Sequence, residues 1–307
     1  MKKVLVTGGA GFIGSHTADL LMSEGIAVRV LDNLSSGHRG NLPDRHELLE
    51  FIEGDICDKD TVNDAMSGVS HCINLAAQVS VVASLEDPEF SAQQNIIGFI
   101  NLLNAAQKNN IKKMVYASSA AIYGEPTEIP LPETAAKTQM SPYGLEKQVN
   151  EEYADLFYRM FDLSSLGMRF FNVFGPRQDP KSPYAGVIAL FVDRISEQLD
   201  LTIFGDGNQT RDFIYVGDVA RTNVAALRSE VQGACNVATG KQTSLLGLID
   251  ILSDITGNKS DVSFAPPREG DIVHSLAIAD KMNQQLGVTA EVSIRDGLIK
   301  LMESTGS

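Results

Sequence analysis

The sequence predicts an α/β protein with a doubly wound parallel sheet and a smaller C-terminal α/β lobe. Short runs rich in Val, Ile and Leu alternate with longer helix-like stretches through roughly the first 170 residues, which is the pattern of repeated strand–helix units. A glycine cluster follows the first run, and an aspartate ends the second. After about residue 170, glycines and prolines become frequent, which favours a lobe that lays loops over the sheet.

The elements follow in order along the chain. Apolar, β-branched runs predict strands near residues 3–7, 27–31, 49–53, 71–75, 112–117 and 165–170. Helical patterns occupy residues 12–24, 59–66, 88–109 and 142–161, the last opening with Ser141 and Pro142, which suit a helix start. We expect a Rossmann domain over residues 1–168, with a return near 206–236, and a substrate lobe from 169–205 and 237–307.

The first turn has the composition of a dinucleotide-binding turn. Gly8, Gly9, Gly11 and Gly14 fit both glycine spacings known for such turns, in which the backbone bends sharply and a helix N-terminus faces the pyrophosphate. Asp32 ends the second strand, 18 residues after Gly14, where a carboxylate accepts hydrogen bonds from the ribose and repels a 2′-phosphate. NAD is therefore favoured over NADP. Asp32 as a simple loop cap is the alternative, and the nearby Arg39 leaves cofactor choice open.

Tyr143 and Lys147 lie four residues apart, so on a helix they share one face. A free tyrosine titrates near pH 10, and we expect the lysine and an oxidised nicotinamide to lower the pKa of the phenol enough for it to act as a base. Ser118 and Ser119 end a buried-looking strand, and the carboxyl ends of strands form the ligand crevice in such folds. Ser119 can then hydrogen-bond a reacting oxygen. The alternative is a surface pair without function.

These residues resemble the extended short-chain dehydrogenase/reductase family, and within it the UDP-sugar 4-epimerases, over nearly the whole chain. The resemblance includes Thr7–Gly14, the loop from Asp32 to Gly37, Asp55-Ile56, Leu75–Gln78 and the segment around Asn95. It implies NAD as cofactor, held by Gly8, Gly11, Phe12, Ile13, Gly14, Asp32, Asn33, Ser35, Ser36, Gly37, Asp55, Ile56, Leu75, Ala76, Ala77, Gln78, Asn95, Tyr143, Lys147 and Phe171.

The same resemblance implies a nucleotide-sugar site. Arginines suit its phosphates because the guanidinium forms paired hydrogen bonds. The implied substrate residues are Ser119, Tyr143, Asn172, Val187, Thr202, Phe204, Arg211, Arg268, Asp271 and Ser275, and the implied catalytic residues are Ser119, Tyr143 and Lys147. In the family, a small residue at the position of Ser275 leaves room for an N-acetyl group at carbon 2 of the sugar. We therefore expect UDP-N-acetylglucosamine and its galacto epimer to be accepted alongside UDP-glucose and UDP-galactose.

Two residues distinguish the expected epimerase reaction from the dehydratase and decarboxylase reactions of related proteins. Related dehydratases have an Asp-Glu pair, and related decarboxylases a glutamate, where this chain has Ala120-Ala121. Methyl side chains cannot supply the additional acid or base that those reactions need, whereas oxidation followed by re-reduction at carbon 4 needs only the three catalytic residues. The alternatives are a UDP-glucuronate 4-epimerase, an NAD-dependent nucleotide-sugar dehydrogenase or reductase, and a non-catalytic nucleotide sensor.

The composition limits which binding partners, metal sites and cellular locations we expect for this protein. The net charge of −14 argues against a nucleic-acid or anionic-membrane surface. Three cysteines without close spacing and five scattered histidines make disulfides and a metal site unexpected. The glycines after residue 7 interrupt any signal-like run, and no run reaches membrane-span length. We expect a cytoplasmic protein, in which helices 88–109 and 142–161 either bury all their apolar faces against the sheet or form a four-helix bundle in a homodimer.

Overall fold

The computed structural model describes residues 1–179, 186–267 and 272–305. Its centre is a parallel sheet of seven strands in the order β11-β6-β5-β4-β1-β2-β3. The strands are β1 Lys3–Thr7, β2 Ala27–Asp32, β3 Leu49–Glu53, β4 His71–Asn74, β5 Lys113–Ser119, β6 Ser165–Phe170 and, much later, β11 Gly233–Val237. The predicted doubly wound fold is confirmed, because the order reverses at β1 and helices cover both faces.

Helices connect the strands. They are α1 Phe12–Ser23, α2 Lys59–Met66, α3 Val81–Glu86, α4 Pro88–Ala92, α5 Gly98–Lys108, α6 Pro142–Phe161, α7 Val187–Ser196, α8 Val216–Arg228, α9 Leu245–Thr256, α10 Asp280–Gln285 and α11 Ile294–Thr305. Two caps explain starts that the sequence indicated: Asp58 Oδ1 accepts from the backbone N–H of Asp60, and Ser141 Oγ accepts from Gly144 N at 3.1 Å.

The predicted helix over 88–109 is interrupted. A π-helical turn, Gln93–Ile97, separates α4 from α5. The extra residue in such a turn shifts the faces of the helix on either side of it. The buried side chain of Asn95 lies at the centre of this turn, so the interruption places a polar group toward the sheet edge where ligands bind.

Two cores lie on the two faces of the sheet. Strand alternation sends Val4 and Val6 to the α1–α8 side and Leu5 to the side of α2 and α5. Buried runs of this kind are typical of parallel strands covered on both faces.

The lobe has its own core and, within the described ranges, three two-stranded sheets. β7 (Asn172–Phe174) pairs with β10 (Phe213–Tyr215), β8 (Leu201–Phe204) with β13 (Val262–Ala265), and β9 (Thr210–Arg211) with β12 (Thr243–Ser244). Ala279, Met282 and Val288 pack into the core of the main sheet rather than into that of the lobe. The C-terminal stretch therefore contributes to the cores of both halves. We keep the division of the chain into two domains as a proposal.

Candidate active site

The glycine turn forms a cradle that no side chain could enter. Gly8 has a φ of 66°, and a Cβ there would lie 2.6 Å from the backbone N of Ala76. A Cβ on Gly14 would lie 2.0 Å from the carbonyl oxygen of Gly8. Helix α1 begins directly after this turn, and its N-cap residue, Gly11, provides no side-chain cap. The amides of the first helical turn are therefore left for an anion, which fits the pyrophosphate of a dinucleotide.

Asp32 closes the loop beside this cradle. Its carboxylate accepts hydrogen bonds from Ala10 N and Leu34 N, each at 2.9 Å, so it does cap the loop, as the alternative interpretation required. Both carboxylate oxygens also lie 3.0 Å from where a Cβ of Gly37 would be. The lack of a side chain at residue 37 thus leaves open space in front of the carboxylate, which is what contact with a ribose needs.

The contacts of Arg39 do not suit it to bind the 2′-phosphate of NADP. Its guanidinium donates to the carbonyl oxygens of Leu42 and Pro43 and lies 5.0 Å from the centroid of the Phe51 ring. These contacts use the donors that would otherwise hold a phosphate, so they favour NAD over NADP.

Other residues expected at the cofactor surround the same strand ends. Asn33 Nδ2 donates to Asp55 Oδ2 at 3.0 Å, which joins the loops after β2 and β3. Ser35 and Ser36 are exposed, Ile56 is buried, and Leu75, Ala76 and Ala77 are half-buried after β4. Phe171 is buried after β6, with its ring centroid 6.4 Å from that of Tyr123. The structure thus places these side chains at one edge of the sheet.

Tyr143, Lys147 and Ser119 meet at that edge. Tyr143 is 9% exposed and Lys147 is 2% exposed, so they are not the surface pair of the alternative interpretation. The Lys147 ammonium lies 5.5 Å from the centroid of the Tyr143 ring. The Ser119 hydroxyl lies close enough to the Tyr143 phenol to lower the pKa of that phenol, and its Oγ accepts from Ala121 N at 3.1 Å. The arrangement can hold one oxygen between a serine hydroxyl and a phenol.

In the protein without its cofactor, the pKa of Tyr143 is raised rather than lowered. The lowering expected from Lys147 together with an oxidised nicotinamide stays a prediction. Burial raises the pKa of the phenol and outweighs the lowering by the Ser119 hydrogen bond, while Glu146 raises it further. Burial also lowers the pKa of Lys147 to about 8. Desolvation disfavours the charged form of both groups, and the spacing of two residues does not reveal how deeply they are buried.

Asn95 links the strand end after β4 to α6. Its Oδ1 accepts from Gln78 N, and its Nδ2 donates to Gln78 O, both at 2.9 Å. The same Nδ2 donates to Glu146 Oε2 at 2.6 Å. Sequence reasoning placed Asn95 and Gln78 at the cofactor but missed Glu146, whose position next to Lys147 was the available indication.

A second buried carboxylate, Glu151, lies further along α6 and fixes this helix to the sheet. It accepts hydrogen bonds at 2.7–2.8 Å from Ser118 Oγ, Lys137 Nζ and two nitrogens of Arg169. Arg169 also donates to the Tyr123 hydroxyl at 2.7 Å. This network connects α6, β5 and β6 beneath Ser119, and the sequence analysis did not identify it.

The lobe contains a cavity of about 710 Å³. Phe204 and Arg211 line it, as expected, and it also includes residues that sequence reasoning missed: Gly205, Asp206, Gln209, Phe264, Ala265, Pro267, Ile272 and Val273. Arg211 Nη1 donates to Thr210 O at 2.9 Å. Thr202 is on the same face of β8 as Phe204, but is exposed and hydrogen-bonds Ser263 Oγ at 3.2 Å. Neither Thr202 nor Val187, which packs on the lobe core, is among the described cavity residues.

The remaining substrate residues are placed in part. Asn172 begins β7, and its N–H donates to Asp212 O at 3.1 Å. Ser275 is buried, and its N–H donates to the carbonyl oxygen of Thr210 at 3.1 Å. Thr210 is the residue directly before Arg211. Arg268 and Asp271 lie outside the described residues.

The described ranges contain no helix of the length and apolar character that a membrane span needs. They also contain no group of three or more His, Cys, Asp or Glu side chains placed to hold a metal ion.

Comparisons with known proteins agree with this geometry. The sequence profile of the NAD-dependent epimerase/dehydratase family matches residues 4–238. A putative UDP-glucose 4-epimerase from Methanocaldococcus jannaschii is 41% identical, over 97% of this chain and 97% of its own. The structure of UDP-N-acetylglucosamine 4-epimerase from Methanobrevibacter ruminantium M1 with UDP-N-acetylmuramic acid superposes with a TM-score of 0.96 at 38% identity, covering 99% and 98% of the two chains. The structure of Thermus thermophilus UDP-glucose 4-epimerase with NAD superposes with a TM-score of 0.91 at 36% identity, covering 99% of each chain.

Proposed function

This chain belongs to the NAD-dependent epimerase/dehydratase family, and we infer that it works as an NAD-dependent 4-epimerase of UDP-hexoses. The predicted family resemblance is confirmed by the profile match and by the relatives. The observation that supports the reaction most directly is the burial of Tyr143 and Lys147 on one face of α6, beside Ser119 and at the same sheet edge as the glycine turn. A dehydratase would need a further acid, and Ala120 and Ala121 occupy that turn.

The chain's own residues suit the cofactor. Gly8, Gly11 and Gly14 would admit the pyrophosphate, Asp32 would hold the ribose, and Gln78 with Asn95 would border the reactive end. When bound, NAD accepts hydride from carbon 4 of the sugar and returns it. The protein supplies the position of the sugar and the movement of the proton.

Tyr143 takes the proton of the 4-hydroxyl and later returns it. Ser119 holds the same oxygen through its hydroxyl, which lies beside the phenol and lowers the pKa of Tyr143. Lys147 provides a positive charge beside the ring, which stabilises the phenolate once the sugar excludes water. The sugar must present its opposite face before hydride returns, so the hexose has to be held loosely.

The lobe holds the nucleotide firmly. Phe204 and Phe264 offer aromatic surfaces in the cavity, and Arg211 supplies a cation beside them. Asn172 begins β7, directly after the buried Phe171, and in this proposal it contacts the diphosphate. A firm hold on UDP leaves the sugar as the moving part. Arg268 and Asp271 remain part of the proposal from the family resemblance.

Ser275 makes the sugar pocket wide. It is a small, buried residue in a segment that pairs with Thr210 beside Arg211. N-acetylated UDP-hexoses are therefore substrates alongside UDP-glucose and UDP-galactose, and the Methanobrevibacter ruminantium relative, named a UDP-N-acetylglucosamine 4-epimerase, supports this breadth. Ser275→Tyr should remove turnover of N-acetylated sugars and keep that of UDP-glucose, whereas Ser275→Ala should keep both. Equal loss of both sugars in the tyrosine variant contradicts the pocket argument.

The function is tested with a panel of UDP-hexoses and NMR of the products. The wild-type protein should invert carbon 4 without releasing free NADH. Tyr143→Phe should retain NAD and lose at least about a hundredfold in rate, since general base catalysis contributes ~10²–10⁴-fold. Net NADH release would instead indicate a dehydrogenase, and full activity of Tyr143→Phe removes the assigned base.

The protein is a homodimer in this proposal. Large apolar side chains on the outer faces of the π-helical turn and α6 are exposed: Ile97, Leu145, Leu156, Met160 and Phe161. Several exposed large apolar side chains on neighbouring elements are typical of a protein interface. Met160→Glu should therefore yield monomers in analytical ultracentrifugation, while Leu199→Glu, at an exposed leucine of the lobe, should not. Monomeric wild-type protein contradicts the dimer.

A cytoplasmic location belongs to the same proposal. The three cysteines are free, and Cys72 and Cys235 are buried, which is usual where thiols stay reduced.

A further inference from the structure

Glu146 is a buried carboxylate whose place in the structure the reaction has not yet explained. Its side chain is 3% exposed. Oε2 accepts hydrogen bonds from Ser91 Oγ at 2.8 Å and from Asn95 Nδ2 at 2.6 Å, whereas Oε1 is buried without a partner among the described residues. A buried carboxylate with one unsatisfied oxygen costs folding free energy. Stability alone therefore does not account for this residue.

We propose, on the basis of the function inferred above, that Glu146 is a positioning residue: its carboxylate fixes α6 to the π-helical turn through Asn95 and keeps a negative charge beside Tyr143 and Lys147.

The first part rests on a continuous set of hydrogen bonds. Both backbone groups of Gln78 bond the Asn95 side chain, and Asn95 in turn donates to Glu146. The strand end after β4, expected at the nicotinamide side, is thereby joined to the residue directly before Lys147. Movement of α6 relative to β4 has to break this link, so Glu146 fixes the distance between the cofactor site and the catalytic pair.

The second part rests on charge. Tyr143 is faced by Lys147 and Glu146 from its own helix, while α3 presents the uncharged Ser84, whose Oγ accepts from Tyr143 N at 3.2 Å, and β5 presents the uncharged Ser119. Glu146 raises the pKa of Tyr143 and also that of Lys147, where it opposes burial. The carboxylate thus keeps the ammonium charged and delays ionisation of the phenol.

Two substitutions separate these parts. Glu146→Gln can keep its amide oxygen toward Ser91 and Asn95 and place the NH₂ group where Oε1 has no partner, so it removes charge and retains the link. Glu146→Ala removes both. Glu152→Gln is the matched control, because Glu152 is an exposed residue of the same helix that contacts Gln148.

The first measurement is the pH profile of kcat/KM for epimerisation. In Glu146→Gln, the acid limb should shift to lower pH by on the order of one unit, as expected when a nearby charge is removed. That shift raises kcat/KM on the acid limb about tenfold. The alkaline limb should also move to lower pH, because Lys147 loses its proton more readily. Glu152→Gln should leave the profile in place. Coincident profiles of Glu146→Gln and wild type overturn the charge argument.

The second measurement does not depend on turnover. ¹³C NMR of labelled tyrosines in the NAD-loaded protein follows the seven tyrosines of this chain, and Tyr143→Phe assigns the resonance of Tyr143. Its pKa should be lower in Glu146→Gln than in wild type, even if no UDP-hexose is epimerised and the proposed function fails. In Glu146→Ala, NAD affinity should fall about tenfold, the size of one lost charge-assisted hydrogen bond; unchanged affinity overturns the link. If that variant does not fold, Glu146→Gln decides the proposal.

Discussion

Gly144→Ala tests whether catalysis depends on the close approach of α6 to the turn after Ser119. A Cβ on Gly144 would lie 2.7 Å from the carbonyl oxygen of Ala121. Ordinary contact begins at 3.4 Å, so helix and turn must separate by about 0.7 Å. Ala121 N is bonded to Ser119 Oγ, and Gly144 follows Tyr143. The separation therefore opens the serine–phenol pair.

The expected effect is larger on activity than on stability. A misplacement of ~1 Å costs on the order of 10²-fold in rate, so a loss of about 30-fold in kcat follows from the smaller shift. Alanine gains up to ~1 kcal/mol of helix propensity, while overpacking costs ~1–3 kcal/mol. The net loss in the free energy of unfolding is then about 0–2 kcal/mol, which leaves the protein folded.

The assay compares kcat for UDP-glucose, NAD binding and urea unfolding in two variants. Gly247→Ala is the matched control, because Gly247 also follows a serine N-cap by three residues: Ser244 Oγ accepts from Gly247 N at 3.0 Å. A Cβ there meets only side-chain atoms, the nearest being Ser244 Oγ at 3.1 Å. A kcat for Gly144→Ala that matches the control refutes the reasoning.

Three further changes have predictable results. Gly14→Ala should abolish NAD binding in calorimetry, since its Cβ would lie 2.0 Å from a backbone oxygen, whereas Gly40→Ala, with open space around it, should bind normally. Arg169→Met should lower the free energy of unfolding in urea by ~3–5 kcal/mol, because it leaves the buried carboxylate of Glu151 without its main partner. That destabilisation should disappear at acid pH: Arg169 holds the pKa of Glu151 below its usual range, so this stability is present above the unfolded pKa and is lost as pH falls through the folded pKa. Because the charge of bound NAD should bring the pKa of Tyr143 below that of Lys147, epimerisation should decline above about pH 8, where Lys147 loses its proton; a profile flat to pH 10 contradicts a need for the ammonium.

The sequence predicted the first six strands and the glycine turn because both depend on local patterns. Val, Ile and Leu runs give strands wherever helices can cover both faces, and a turn that must bring Gly8 against Ala76 can contain only glycine. Residues at the strand ends, such as Asp32 and Ser119, then follow from topology, since parallel strands end at one edge.

What the sequence did not predict depends on contacts between distant segments. β11 reads Gly-Ala-Cys-Asn-Val, which has little β propensity, and it forms because β6 offers a free edge. The π-helical turn depends on Asn95 finding both Gln78 and Glu146. The direction of the pKa shift of Tyr143 depends on burial, which no spacing reveals.

Helix α6 shows why its two faces could not be assigned from hydrophobicity. A surface helix normally turns apolar residues inward and polar ones outward, but α6 does the reverse over much of its length. Its buried positions include Tyr143, Glu146, Lys147, Asn150 and Glu151, and its exposed positions include Leu145, Leu156, Met160 and Phe161. Glu151 can be buried because Arg169, Ser118 and Lys137 satisfy its carboxylate, while Asn95 bonds Oε2 of Glu146. The exposed apolar face has no such compensation among the described residues, so in the proposed homodimer the second copy would cover it. Because the helix has both roles, a substitution that separates the protomers should also loosen Tyr143 and Lys147.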